Sequence, residues 1–438
     1  MVPDTKSPPN RVWLLVALLF PVALLNYLDR QMLGTMKGSI TSDIPSIANK
    51  ADWGIVLALF KWTYALLSPF GGWVADRFSK RHVIAGSLFM WSAVTWWTGH
   101  VSSLHELLLV RALMGISEAF YIPTALALIT ESHPSETRSR AVGVHQSGIY
   151  VGQILGGFAG YAAESPDIGW RNAFATCGFI GAAYALPLLF LLKTSCPLRP
   201  APPLLPSPFE PSCLRVPPSS PPSSHPTTNP STDVASSPWS ALLTNRNFLL
   251  LVLYFTLPAI AGWVVRDWMP EILREKFQLG QGKAGVSAIL FVQLASLAGG
   301  LAGGFIADRW MQKTARGRIL TSAMGMVLFL PALFSVGNAG TLSIAILGLI
   351  VFGIGWGFFD CNNMPILCQI ARPEHRATGY GMMNLVSISC GGFGDWIFGV
   401  LRDQGTSLNF IFGAFSGLAL LSVGIVLLIR PNTSSPQH

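Results

Sequence analysis

Apolar residues gather into twelve stretches divided by short polar breaks, at about 12–33, 53–74, 82–100, 105–130, 139–162, 170–192, 247–268, 284–307, 318–337, 341–371, 376–401 and 408–429. Each is near the ~20 residues that carry a helix across a bilayer. The pattern predicts an all-α integral membrane protein with twelve transmembrane helices and both termini on one side. The tenth stretch is long enough to run past the membrane.

Two short patterns recur at nearly one offset. Gly71-Gly72-Trp73-Val74-Ala75-Asp76-Arg77-Phe78 returns 232 residues later as Gly303-Gly304-Phe305-Ile306-Ala307-Asp308-Arg309-Trp310. Arg140-Ala141-Val142-Gly143 is echoed 236 residues on by Arg376-Ala377-Thr378-Gly379. The chain therefore reads as two pseudo-symmetric six-helix bundles, 1–193 and 247–438, a duplication that recurs among transporters with substrate held between the halves. Residues 194–246 join them. Fourteen of the 31 prolines fall within 197–238, interleaved with Ser and Thr, a composition that builds a linker and no core.

Composition agrees with a membrane location. Hydrophobic residues make up 51% of the chain and charged residues 11%, against roughly 25% charged in soluble domains. With both termini inside, 18 Lys and Arg lie in the loops on the terminal side and seven in the opposite loops. That asymmetry predicts cytoplasmic termini in a plasma (inner) membrane. The net charge of +8 is thus mainly a topology signal, scattered over loops, and excludes a nucleic-acid role. The first stretch runs into Asn26-Tyr27-Leu28-Asp29-Arg30 without a small-residue cleavage site, so it is a retained helix. Six dispersed cysteines support neither a disulfide framework nor a metal site.

An ionisable side chain in a bilayer costs at least ~2.5 kcal/mol, so each one asks for a function. The first stretch carries Asp29 and Arg30, the second Lys61, the fourth Arg111 and Glu118, the seventh Arg266 and Asp267, the tenth Asp360 and the eleventh Asp395. Arg111 and Glu118, seven residues apart, project from one helix face about 10 Å apart along the axis. A guanidinium suits capture of a carboxylate; a carboxyl group in a low dielectric is readily neutralised and can load and release a proton. Asp29 and Arg30 diverge by roughly 100° around the helix, so one can face a cavity while the other meets a neighbouring helix. Lys61 is either a substrate-facing cation or the partner of Asp29, Glu118 or Asp360. Arg266 and Asp395 fall near the ends of their stretches, which favours an interfacial role for the first and a structural one for the second.

Four interior cations (Arg30, Lys61, Arg111 and Arg266) set against Asp29, Glu118 and Asp360 imply a positive cavity and an anionic substrate. Asn362, Asn363, Gln146, Tyr27 and Tyr64 can hydrogen-bond substrate hydroxyls or bridge helices. In the repeated loop motif, Asp76 with Arg77, and Asp308 with Arg309, lie where contacts can form in one conformation and break in another, which suggests gating.

Gly72-Trp73-Val74-Ala75-Asp76-Arg77-Phe78-Ser79-Lys80-Arg81 resembles the loop signature of the major facilitator superfamily, with Ser79 where glycine is usual; the resemblance covers all but the linker. Asn26-Tyr27-Leu28-Asp29-Arg30 and the Arg111 to Glu118 spacing are similar to the anion:cation symporter family, which includes hexuronate, aldonate and sialate carriers. The resemblance implies proton exchange at Asp29 and Glu118, substrate-carboxylate contact at Arg30 and Arg111, and a site lined by Tyr27 and Tyr64. Lys61 stands where an aromatic residue is more usual. Asp360-Cys361-Asn362-Asn363-Met364-Pro365 resembles the sugar-acid carriers of that family.

The expected function is secondary transport, a proton-coupled symport of a sugar acid by a monomer that needs the proton gradient and no cofactor. A sodium-coupled anion importer, an amphipathic-anion efflux carrier and a membrane sensor are the alternatives. With no HExxH, GxSxG or grouped Cys/His motif, an enzyme is not expected.

Overall fold

The computed structural model describes residues 9–133, 135–192, 238–372 and 375–431. Among them are fifteen helices and no strands. The first half contains α1 (Pro9–Thr35), α2 (Lys37–Asp43), α3 (Lys50–Arg77), α4 (Lys80–Thr98), α5 (Leu104–Glu118), α6 (Tyr121–Ser132), α7 (Ser135–Glu164) and α8 (Gly169–Leu191). The second contains α9 (Pro238–Leu243), α10 (Arg246–Phe277), α11 (Gln281–Met311), α12 (Gly317–Asn338), α13 (Leu342–Ile370), α14 (Arg376–Asp403) and α15 (Leu408–Leu428). All twelve apolar stretches are helical.

The fourth stretch is divided into α5 and α6 because Pro123 has no N–H to offer the Ala119 carbonyl. At this break α3 approaches closely. A Cβ on Gly71 would lie 2.9 Å from the Ala119 oxygen and 3.0 Å from the Pro123 ring, so the first glycine of the repeated motif is required by packing. Ten helical segments are long and apolar enough to cross a membrane. The other two predicted crossings, α4 and α7, are more polar: α4 opens on Lys80-Arg81-His82, and α7 carries Gln146 and Gln153 on a side packed within the protein.

Duplication is visible in the packing. Contacts of α1 with α7, α3 with α5 and α4 with α8 are matched in the second half by α10 with α14, α11 with α13 and α12 with α15. Between halves, α3 lies along α14 and α7 along α11. Of the linker, residues 193–237 lie outside the described residues. In its last part Pro238–Leu243 is helical, and the Asn245 side chain accepts the Asn247 and Phe248 N–H groups at 3.0 and 3.3 Å to start α10.

The halves are joined at the end opposite the basic loops. Lys37 reaches Glu271 at 3.0 Å, and Arg274 holds both oxygens of that carboxylate at 2.7 and 3.0 Å. Burial pulls the Lys37 ammonium below the ordinary lysine range, an effect that Glu271 opposes. Lys50 meets Glu275 at 2.7 Å, and Gln281 exchanges hydrogen bonds with the Ser39 amide and hydroxyl at 3.0 and 2.7 Å. Two carboxylates also cap helices across the boundary. Asp403 accepts the Lys50 and Ala51 N–H groups at 3.0 and 2.7 Å, and Glu164 accepts those of Gln281 and Gly282.

Candidate functional site

Between the halves lies a cavity of about 320 Å³, within the range of small-molecule sites. It reaches from mid-depth toward the basic-loop end, as far as Ser68 on α3, Leu126 on α6 and Tyr380 one turn into α14. Closed at one end and extended toward the other, the molecule has the shape of one state of an alternating-access carrier.

Arg30 and Asp29 diverge as helical geometry requires. Arg30 points from α1 into the cavity, bonds the buried Glu118 carboxylate and is ringed by Tyr27, Phe60 and Tyr64 at 4.6, 4.8 and 5.0 Å. Asp29 turns the other way and accepts the Thr95 hydroxyl of α4 at 2.9 Å. Arg111 sits behind the main cavity. Its guanidinium lies 4.5 Å from the Phe60 ring centre and donates to the Val56 carbonyl at 3.4 Å. It opens into a side pocket of about 30 Å³ shared with Arg30, Lys61, Arg266 and Asp267.

Lys61 bonds Asp267 of α10 and Asp395 of α14, with its ammonium 4.6 Å from the Trp263 ring centre. These partners replace Asp29, Glu118 and Asp360, which the sequence offered. Asp395 is fully buried and crosses the boundary between halves through Lys61. Arg266 also requires correction. The seventh apolar stretch ends at 268, but α10 continues to Phe277 because Glu271, Arg274 and Glu275 are paired. Arg266 is therefore about 16 Å inside the helix end, at 1.5 Å per residue. There it lines the cavity, 4.9 Å from Trp263.

Tyr27, Tyr64 and Gln146 line the cavity with Asp360, whereas Asn362 and Asn363 do not. Asn362 donates to the Phe358 carbonyl of its own helix at 3.0 Å, and both asparagines are buried behind the lining. In the loop motif, Asp308 pairs with Arg318 at 3.0 Å, while Arg309 and Arg77 are exposed. Asp76 lies outside the residues whose side chains are described.

Of two polar stripes, sequence reasoning named Gln146 alone. Gln146, Tyr150 and Gln153 on α7, and Tyr380, Asn384 and Ser387 on α14, all line the cavity. Each set has the i, i+4, i+7 spacing of one helix face, and the sets are 234 residues apart, between the two offsets of the repeated motifs. That match was the available signal.

Asp267 and Asp395 also revise the charge balance. The groups facing the cavity and side pocket are Arg30, Lys61, Arg111 and Arg266 against Asp267 and Asp360, a positive surface. Behind it lie Asp29, Glu118 and Asp395, so with every group ionised the site sums to −1 rather than to the positive value expected.

The sequence model of the Major Facilitator Superfamily matches residues 19–395, and the chain belongs to that superfamily. It is a multi-pass membrane transporter and not an enzyme. The chain is 27% identical to an MFS-type efflux pump of Mycolicibacterium smegmatis, over 91% of this chain and 86% of that one. It is 23% identical to a probable L-galactonate transporter of Escherichia coli, over 96% and 90%. A crystal structure of a bacterial homologue of the human lysosomal transporter spinster, inward-facing and unoccupied, superposes with a TM-score of 0.70 at 19% identity, covering 97% of this chain and 95% of that one.

Proposed function

We propose that this protein imports an organic anion, a monocarboxylated sugar derivative, in symport with protons by alternating access. The charge balance carries the reading. An anion entering a fully ionised site of nine charged groups meets a net −1, while a site that has taken up two protons presents +1. Anion binding therefore favours the protonated carrier, and by linkage protonation favours the anion. Glu118, bonded to Arg30, and Asp29 are the coupling carboxyls. Arg30 and Arg111 hold the substrate carboxylate, and Gln146 and Tyr150 meet its hydroxyls. The galactonate carrier among its relatives supports a sugar acid.

In this reading the basic-loop end is cytoplasmic, the membrane is the plasma (inner) membrane and the closed end faces outward. The halves 1–193 and 247–438 rock about the cavity in a monomer. Binding of hexuronates, aldonates and sialic acid to purified protein, read as a thermal shift, tests the substrate class. Stabilisation by a sugar acid, lost in Arg30→Ala, is expected; stabilisation by none would overturn it. A second reading, efflux of an amphipathic anion, is favoured by the apolar wall formed by Phe255, Phe352, Trp356 and Phe359, and by the efflux relative. Stabilisation by alkyl or aryl carboxylates alone would select it.

A further inference from the structure

Lys61 is held by two carboxylates that belong to the opposite half. Asp267 comes from α10 and Asp395 from α14, and both bond one ammonium carried by α3. Asp395 is fully buried, and its Oδ1 has no hydrogen-bond partner among the described residues. The helices meet tightly at this level: a Cβ on Gly54 of α3 would come within 2.8 Å of the Asp395 carbonyl oxygen. Since α3 and α14 are on opposite sides of the boundary, opening of the closed end must draw Lys61 away from Asp395.

Other charged groups cannot replace it there. Arg266 on α10 turns to Trp263, 4.9 Å from its ring centre. Arg111 on α5 shares the side pocket with Asp267 and acts on it electrostatically, but it is anchored on the Val56 carbonyl and Phe60. Arg30 on α1 is bonded to Glu118. Once Lys61 leaves, the fully buried Asp395 carboxylate, with the partly buried Asp267 carboxylate beside it, has lost the cation that offsets its burial, and another cation must take the vacated place.

We infer that Asp395 and Asp267 form a proton-binding site in the second half, filled by the Lys61 ammonium in the form closed at this end and by a proton in the form open there. One proton converts one carboxylate to a carboxylic acid, and Lys61 remains an ammonium throughout. Freed from the pair, Lys61 faces the cavity, where it can hold the carboxylate of the entering anion. When the end closes again, the pair recaptures Lys61, gives up its proton toward the basic-loop side, and removes one cation from the anion. Substrate and proton are thus taken up together and released together through a single lysine. The inference rests on the import reading for direction, but its test needs no substrate.

The test uses spin labels at Asp167→Cys and Asn338→Cys, exposed positions at the closed end of the two halves, in full-length protein with its six cysteines replaced. Distances between them are followed by pulsed electron resonance from pH 8 to pH 5 in sodium-free buffer. Acidification should lengthen the distance, and Asp395→Asn should give the long distance at pH 8 and lose most of the acid-driven shift. Asp403→Asn, which weakens the closed end elsewhere, should keep that shift. An unchanged shift in Asp395→Asn, or one that requires sodium, would overturn the proposal. A stability measurement supplies an independent check if Asp395→Asn folds poorly. Lys61→Met should melt lower at pH 8 than at pH 5 by more than the unsubstituted protein does, and adding Asp395→Asn to Lys61→Met should remove that excess; an excess that persists in the double variant would also overturn it. A failure of every sugar acid to bind would leave both measurements standing.

Discussion

Asp403 caps α3 as Glu164 caps α11, each from the end of a helix in the opposite half. The two carboxylates are 239 residues apart, so the duplication that built the halves also built a matched pair of latches between them. Both are exposed, so each stabilises the closed end by about 0.5–1 kcal/mol, the scale of a carboxylate at a helix N-terminus.

Neutralising the latches should open that end. In Asp403→Asn with Glu164→Gln, a cysteine placed at Gln153 should react with an impermeant maleimide from outside about five- to thirtyfold faster, from roughly 1–2 kcal/mol shared by the two caps. An unchanged rate would show that the remaining contacts, such as the Lys37–Glu271–Arg274 cluster and the Lys50–Glu275 pair, keep the end shut without the latches.

Packing at the boundary is as exacting as the charges. A Cβ on Gly160 would come within 2.4 Å of the Gln281 backbone, where α7 meets α11. Gly160→Val should therefore leave the protein folded but held open at this end, since separation of the helices relieves the clash. Uptake should fall at least tenfold while the melting temperature changes little; normal uptake would show that closure does not need this approach.

Glu118 should couple uptake to protons without being needed for binding. Glu118→Gln cannot exchange a proton but can still accept a hydrogen bond from Arg30. Uptake driven by a pH gradient should be abolished while counterflow exchange of the same anion continues. Loss of both would remove Glu118 from the coupling role.

Among the described residues Arg111 has no carboxylate bonded to it, and its hydrogen bonds there go to the Val56 carbonyl and the Met114 sulfur. Its charge is therefore available to substrate. Arg111→Met, which retains the stem that packs near Phe60, should weaken anion binding about ten- to a hundredfold, the scale of one charge-assisted hydrogen bond or slightly more. Equal binding by Arg111→Met would make the residue structural.

The sequence disclosed the helices because each must present an apolar surface to lipid, and the duplication because both copies kept the glycines and charges of the loop motif. It disclosed Arg30 and Glu118 because a charge in an apolar helix stands out. Their mutual pairing, and that of Lys61 with Asp267 and Asp395, depends on how α1, α3, α5, α10 and α14 meet, which no local pattern encodes. Arg266 was misplaced for a related reason: the polar last turns of α10 are satisfied by residues of the other half, so hydropathy ended the helix too soon. Cavity hydroxyls and amides such as Tyr150 and Asn384 carry no charge and were visible only as a stripe repeated in both halves.

Proton movement with a sugar acid is the most direct measure of the central claim. Purified protein in sodium-free liposomes containing a pH-sensitive dye would be offered hexuronates, aldonates and sialic acid from outside, one at a time. A carried acid should acidify the lumen, and Glu118→Gln should abolish the signal. Entry of a sugar acid with no acidification, or only when sodium is present, would contradict proton symport.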